Sequence, residues 1–205
     1  FVARTEPALV FFHPGYGRVA WTKYQPTTVT DGAAHVTNAK RPATASPSPF
    51  GRYVSFEAMG ASLAPGVWNN SVVPQMHRAA RISFLAGRHL VSRRPGYYGV
   101  YGGDYVVTFH GPSREARPHL IEWNFSPQMG GVDATLDGDH FGTVLWTTVL
   151  TVMELVRDRE LGRISGATFC TRLPSTLGLL TTLINEACDD NRHYDLDDEL
   201  VQVLL

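Results

Sequence analysis

The sequence predicts an α+β fold, and three observations point there. Short apolar runs of strand length, such as Ala8-Leu9-Val10-Phe11-Phe12, are bounded by Gly- and Pro-rich turns. Two longer segments keep the helical period. The first, 71–90, places Val72, Val73, Met76, Ala80, Phe84 and Leu85 on one side; the second, from about 139 to Gly162, does so with Val144, Leu145, Val149, Val152, Met153 and Val156. Finally, the Tyr- and Val-rich stretch 97–109 returns through Leu120-Ile121-Glu122-Trp123-Asn124-Phe125, as a strand pair does.

Taken in order, Ala8–Phe12 forms a strand, Pro14-Gly15-Tyr16-Gly17 turns, and Arg18-Val19-Ala20-Trp21 returns, so the chain opens as a hairpin. From Tyr24 to Phe50 the prolines Pro26, Pro42, Pro47 and Pro49 lie among Thr, Ser and Ala; an irregular insert is expected over 39–70. Ser71 is the expected N-cap of the first long helix, and Arg93-Arg94-Pro95-Gly96 ends it. Gly99, Gly102 and Gly103 mark a bulge or a close backbone approach in the next strand. Residues 110–118 are expected to be the hairpin loop. Asp139 can cap the second long helix, and Gly162 closes it. A last helix is expected from Pro174, carrying Leu177, Leu180, Leu183, Ile184 and Ala187, before an acidic tail over 189–205.

Composition narrows the function classes. A chain of 205 residues with 43% hydrophobic and 18% charged residues buries one ordinary core, so a single domain over 1–205 is expected and disorder is excluded. Net charge of −1 argues against a nucleic-acid binder, and no apolar run approaches a membrane span. Cys170 and Cys188 are too few for a disulfide framework or a zinc cage; they read as buried thiols and point to a reducing compartment. Phe1 in place of Met marks a processed, truncated or partial chain. His13, His77, His89, His140 and His193 are scattered and read as surface or core histidines.

The chemistry concentrates around Asp104 and Glu122-Trp123-Asn124. Residues i and i+2 of a strand share a face, so Glu122 and Asn124 lie together and Trp123 lies opposite. With Phe109 across from His119, Asp104 falls across from Asn124. Three oxygen donors, two of them anionic, then meet on one patch, which is the ligand set Mg²⁺ prefers.

These residues also resemble a known family. Leu120-Ile121-Glu122-Trp123-Asn124-Phe125-Ser126-Pro127 resembles the "LLEVNxSP" signature of tubulin–tyrosine ligase-like proteins, members of the ATP-grasp superfamily. Tyr101-Gly102-Gly103-Asp104 resembles their "YGxD" strand, His35-Val36-Thr37-Asn38 their "HLTN" motif, and the opening through Gly17-Arg18 their first hairpin. The four stand in family order from Phe1 to Pro127.

The resemblance implies an ATP-grasp C-terminal subdomain, mainly antiparallel sheet flanked by helices. It implies ATP and Mg²⁺ as cofactors, with Asp104, Glu122 and Asn124 as metal ligands. Arg18 becomes the catalytic arginine facing the phosphates, and His35, Thr37 and Asn38 a loop beside the nucleotide. The implied reaction phosphorylates a carboxylate and lets an amine displace phosphate, forming an amide or isopeptide bond. Its acceptor is tubulin or another acidic-tailed protein, for which Arg78, Arg81 and Arg88 form a candidate basic stripe. The implied setting is the cytoplasm, cytoskeleton or cilium, with a mitochondrial assembly left open. The family's nucleotide-gripping lysines lie in a part that would precede Phe1, so an N-terminal half or partner chain is expected to supply them. The alternative is an incomplete ATP-grasp relic retained as a structural subunit of a larger assembly.

Overall fold

The computed structural model describes residues 1–37, 53–127 and 138–189, except positions 6, 14, 21, 28, 29, 31, 36, 95, 112–114, 126, 178 and 179; of 53, 57, 138–141 and 176 it describes the backbone only. In chain order the elements are β1 (Val2–Thr5), β2 (Ala8–Phe12), β3 (Tyr16–Arg18), α1 (Gly32–His35), β4 (Tyr53–Ser55), α2 (Phe56–Ala61), α3 (Val73–Gly87), β5 (Tyr101–His110), β6 (Glu115–Phe125), α4 (Gly138–Glu160), α5 (Gly166–Thr176) and β7 (Thr181–Asn185). The fold is α+β with small antiparallel sheets. The chain divides into two compact units. No described helix is long and apolar enough to cross a membrane.

The first unit comprises Phe1–Pro14, Asn69–Gln128 and Val144–Leu205. At its centre is an antiparallel sheet in the order β1-β2-β7. All five residues of β2 are buried, so both faces of this strand must be covered. Phe12 meets His77 of α3 edge-on at 4.6 Å between ring centroids, which sets α3 on one face. Arg4, paired with Leu9 and so on the opposite face, reaches Glu160 of α4. Leu9, Phe11, Val72, Val149, Val152, Leu173 and Ile184 are the largest fully enclosed side chains of its core.

The expected opening hairpin is not formed. β2 pairs with β1 and with the distant β7, while β3 pairs with β4. A strand that is apolar at every position needs a neighbour on each edge, and the turn at Gly15 supplies only a route out of the sheet. The expected last helix is also corrected. Pro174 falls inside α5, where it removes one helical hydrogen bond, and β-branched Thr181, Thr182 and Ile184 continue as β7 against β2. Ser71 does not cap α3: Val72 stands at the cap, Pro74 fills the first turn, and Ser71 instead accepts from Gln75 Nε2 at 3.0 Å. Gly162, at φ 69°, does end α4. The side chain of Asp139 and the tail beyond residue 189 lie outside the described residues.

Four parts of the fold, α3, β1, β2 and the residue after β7, meet at one largely buried ion pair. Arg88, directly after α3, donates to both Glu186 oxygens at 2.7 and 2.6 Å and to the carbonyl of Thr5 at 3.1 Å. Glu186 also accepts from the amide of Ala8 at 2.7 Å. Arg88 is therefore committed inside the fold, which corrects its place in an exposed basic stripe. Arg78 likewise carries a buried Nη2 with no acceptor among the described residues.

Cys170 and Cys188 are joined, with Cα atoms 5.6 Å apart, so the reading of two thiols is overturned. The bond ties α5 to the turn after β7. A cross-link of this kind persists in oxidising surroundings, which removes the sequence argument for a reducing compartment.

The second unit comprises Gly15–Trp68 and Met129–Thr143. Its two-stranded sheet pairs Gly17 with Val54. Ser55 caps α2 by accepting the Ala58 amide at 3.1 Å. Trp68 closes on Phe56 at 4.6 Å, and its ring lies across Gly60, where a Cβ would come within 3.2 Å. Within the 39–70 stretch, then, 53–61 is strand and helix, and 39–52 lies outside the described residues.

Two predictions follow from the first unit. Replacing Arg88 by Ala leaves the Glu186 carboxylate, 7% exposed, without its partner, and is expected to cost about 3–5 kcal/mol in urea unfolding. Reducing the disulfide, or Cys188→Ser, opens a cross-link spanning 18 residues and is expected to cost about 3 kcal/mol, read as a lower urea midpoint with dithiothreitol than without.

Candidate functional site

The site is built on the β5–β6 ribbon of the first unit. β5 runs to His110 and β6 starts at Glu115, so residues 115–118, expected as loop, belong to the strand. Pro118 is tolerated because each strand of a two-stranded ribbon has an outer edge where no amide is needed.

The register also differs from expectation. Asp104 lies opposite Glu122, not Asn124, and Asn124 lies opposite Gly102. The difference begins at the turn, where Phe109 pairs with Ala116 rather than His119, three residues away; an irregularity between Asp104 and Tyr105 then reduces the offset to two, since Glu122 pairs with Asp104, Leu120 with Tyr105, and Ile121 between them has no partner. This bulge changes the phase of β6. Before it, Ala116, Pro118 and Leu120 share the inner face; after it, Trp123 does. Glu115, Arg117 and His119 share the outer face, continued by Glu122 and Asn124. Because the expected and observed registers differ by two residues at Asp104, Asp104, Glu122 and Asn124 still share one face.

The inner face is fastened to α3. Trp123 Nε1 donates to Ser83 Oγ at 3.0 Å, the Tyr105 hydroxyl donates to the Met76 carbonyl at 3.1 Å, and Gln75 Nε2 donates to the Ala116 carbonyl at 3.4 Å. Burial pushes the Tyr105 hydroxyl well above its ordinary pKa, keeping it a donor. Trp123 lies across Gly103, where a Cβ would come within 2.8 Å of the indole ring. Gly102 is similarly closed by Pro127, at 2.8 Å. The two glycines thus serve close approach on opposite faces.

On the outer face, Asn124 Nδ2 donates to Asp104 Oδ2 at 3.3 Å and to Glu122 Oε1 at 3.5 Å. Two carboxylates therefore converge on one amide. Turning that amide over would present Oδ1 beside the same two oxygens. Asn124 and Glu122 are exposed. Further along the face, Arg117 holds Glu115 in a two-point pair at 3.1 and 3.0 Å, which keeps the Glu115 carboxyl below its ordinary pKa. Thr108 Oγ1 lies 2.8 Å from His110 Nε2 and 2.9 Å from His119 Nε2. Among the described residues no three His, Cys, Asp or Glu side chains form a metal-holding group. The donor set is two carboxylates and an amide, which suits a hard, partly hydrated cation rather than zinc.

The remaining sequence-predicted residues belong to the second unit. Arg18 is exposed, with its guanidinium 5.9 Å from the Tyr16 ring centroid and Nη2 3.5 Å from the Tyr16 hydroxyl. His35, the last residue of α1, meets Tyr24 edge-on at 5.2 Å. Thr37 is half-buried, and Asn38 lies outside the described residues. Sequence reasoning missed the bulge. Its signal was present: outer-face polar residues recur at 115, 117 and 119, then at 122 and 124, a step of three in a period of two.

Compared with family models, curated proteins and solved structures, the chain matches none.

Gly103→Ala is expected to destabilise the ribbon by about 1–3 kcal/mol, because the added methyl meets the indole and the ring of Tyr105. Thermal unfolding followed by Trp fluorescence checks this, since Trp123 reports on the contact directly.

Proposed function

We propose that this chain is the metal-bearing segment of an ATP- and Mg²⁺-dependent amino-acid ligase of the tubulin–tyrosine ligase-like type. The observation that carries the reading is the direct opposition of Asp104 and Glu122 on an exposed face, with Asn124 between them. Like charges directly opposite on a strand pair are unfavourable by roughly 0.2–1 kcal/mol. A solvated face has no need of that arrangement, and a bound cation reverses its sign.

In this reading Asp104 and Glu122 supply anionic oxygens, Asn124 supplies its amide oxygen, and Trp123 holds the hairpin against α3 so that the three keep their spacing. Mg²⁺ held there would neutralise charge on a transferring phosphoryl group. The amide-forming chemistry, the acidic-tailed acceptor such as tubulin, and the parts played by Arg18, His35, Thr37 and Asn38 come from the motif resemblance.

The test uses Mn²⁺ as a paramagnetic probe of the metal site and ADP release as the readout of turnover by the whole protein with ATP, an amino acid and an acidic peptide. Broadening of the Gly102 and Asp104 amide signals is expected, abolished by Glu122→Gln, together with a loss of roughly a hundredfold or more in ADP release. Metal binding indifferent to Glu122→Gln and Asp104→Asn overturns the site. Metal binding without any turnover overturns the ligase reading and leaves the structural-subunit alternative.

A further inference from the structure

We propose that His110 and His119 form a binding site for a borderline divalent cation of the Zn²⁺ class, held by their two Nε2 atoms on the outer face of the β5–β6 ribbon. The site shares no residue with the Asp104, Glu122 and Asn124 cluster, and it goes beyond the ligase reading.

The two histidines are attached far apart and end close together. His110 pairs with Glu115 and His119 with Val106, so their places on the ribbon differ by four residues, about 13 Å at the rise of a strand. Side chains on a strand otherwise stand roughly perpendicular to the sheet. Here the ring centroids are 6.4 Å apart, and both Nε2 atoms converge on Thr108 Oγ1, at 2.8 and 2.9 Å. Both rings therefore lean inward over Thr108, and His119 leans away from the row of Asp104 and Glu122.

The hydroxyl is an imperfect partner for this pair. It carries one proton and lies within reach of three groups that can accept it, the two imidazoles and the Arg117 carbonyl at 3.4 Å. It donates to one of them at a time, so at least one imidazole must meet it with an N–H. A cation takes both imidazole lone pairs at once, with each ring proton on Nδ1 and Thr108 left to the Arg117 carbonyl. With Zn–N bonds of about 2.0–2.1 Å and a tetrahedral angle, the two ring centroids would stand roughly 5 Å apart. Closing to that spacing from 6.4 Å asks each ring to move by less than about 1 Å. Both histidines are exposed, so the movement displaces water and not packed side chains.

The donors also set the metal. Imidazole nitrogens suit Zn²⁺, Cu²⁺ or Ni²⁺ and not Mg²⁺. Glu115, across from His110, is already engaged by Arg117 at 3.1 and 3.0 Å, so its carboxylate is not offered to the metal. Two nitrogens are fewer than the protein ligands of a resident zinc centre, so water fills the remaining positions and the metal exchanges. While bound, it joins β5 to β6 beside their turn.

The experiment titrates the whole chain with Zn²⁺ in the presence of excess Mg²⁺, following the imidazole carbon signals of His110 and His119 by NMR. Both sets are expected to move together and to saturate at one Zn²⁺ per chain. His110→Ala and His119→Ala are each expected to weaken binding about tenfold or more, because a single imidazole remains. Both side chains are exposed, so these variants should keep the wild-type Tm. Glu122→Gln is expected to leave the Zn²⁺ affinity unchanged. Signals that Zn²⁺ does not move, or equal affinity in either histidine variant, overturn the proposal. Loss of Zn²⁺ binding in Glu122→Gln overturns it too, by assigning the metal to the carboxylate cluster.

Discussion

The Arg88–Glu186 pair is the interaction on which the first unit hangs. Glu186 is nearly buried, and a carboxylate in that position is stable only while its oxygens are fully engaged. Arg88 takes both oxygens, and the Ala8 amide takes a share of one. The partners come from the end of α3, the start of β2 and the residue after β7, so a single group sets where a helix stops and where two strands register. α3 in turn carries the β5–β6 ribbon through Ser83, Met76 and Gln75. The position of Asp104 and Glu122 is thus inherited, one contact at a time, from a buried ion pair that touches neither.

The bulge at Ile121 does a different job. A regular β6 would put Leu120 and Glu122 on the same face, forcing either an apolar residue outward or a carboxylate under α3. One extra residue lets Leu120 face the helix and Glu122 face solvent two positions later. The same change of phase sends Trp123 inward to close over Gly103. Core packing and presentation of the carboxylates are solved by one irregularity.

What the sequence revealed divides along the range of the interactions. Elements set by local pattern were legible: the apolar run of β2, the helical period that became α3 and α4, and Gly162 as a stop. Pairing was not, because β2 joins β7 across most of the chain, and nothing in Ala8–Phe12 distinguishes that partner from the nearer Arg18–Trp21. Residues 177–187 were ambiguous for another reason. Leu180, Leu183 and Ile184 satisfy a helical spacing, and only the Pro174 break and the β-branched threonines favour a strand. The cysteine pair was read by count alone, while the disulfide depends on α5 and the turn after β7 meeting in space. At the site, the face shared by Asp104, Glu122 and Asn124 was legible from alternation. The register was not, since residues 115–118, taken for a loop, pair within the strand and so move the turn, and a phase step follows at Ile121.

The outer face of the ribbon carries its own control for the metal reading. Glu115 and Arg117 lie on the same strand, two residues apart, and satisfy each other with two hydrogen bonds. Glu122 and Asp104 are exposed on the same face, yet among the described residues no cation forms an ion pair with either; the Asn124 amide lies between them. A polar face selected only for solubility would follow the first pattern, since an opposite-charge neighbour is mildly favourable and a like-charge one is not. The second pattern is unfavourable in isolation and becomes favourable only with a positive ligand. The contrast within one ribbon is therefore a stronger argument for a cation than the identity of the three residues, which a short strand can bring together by chance.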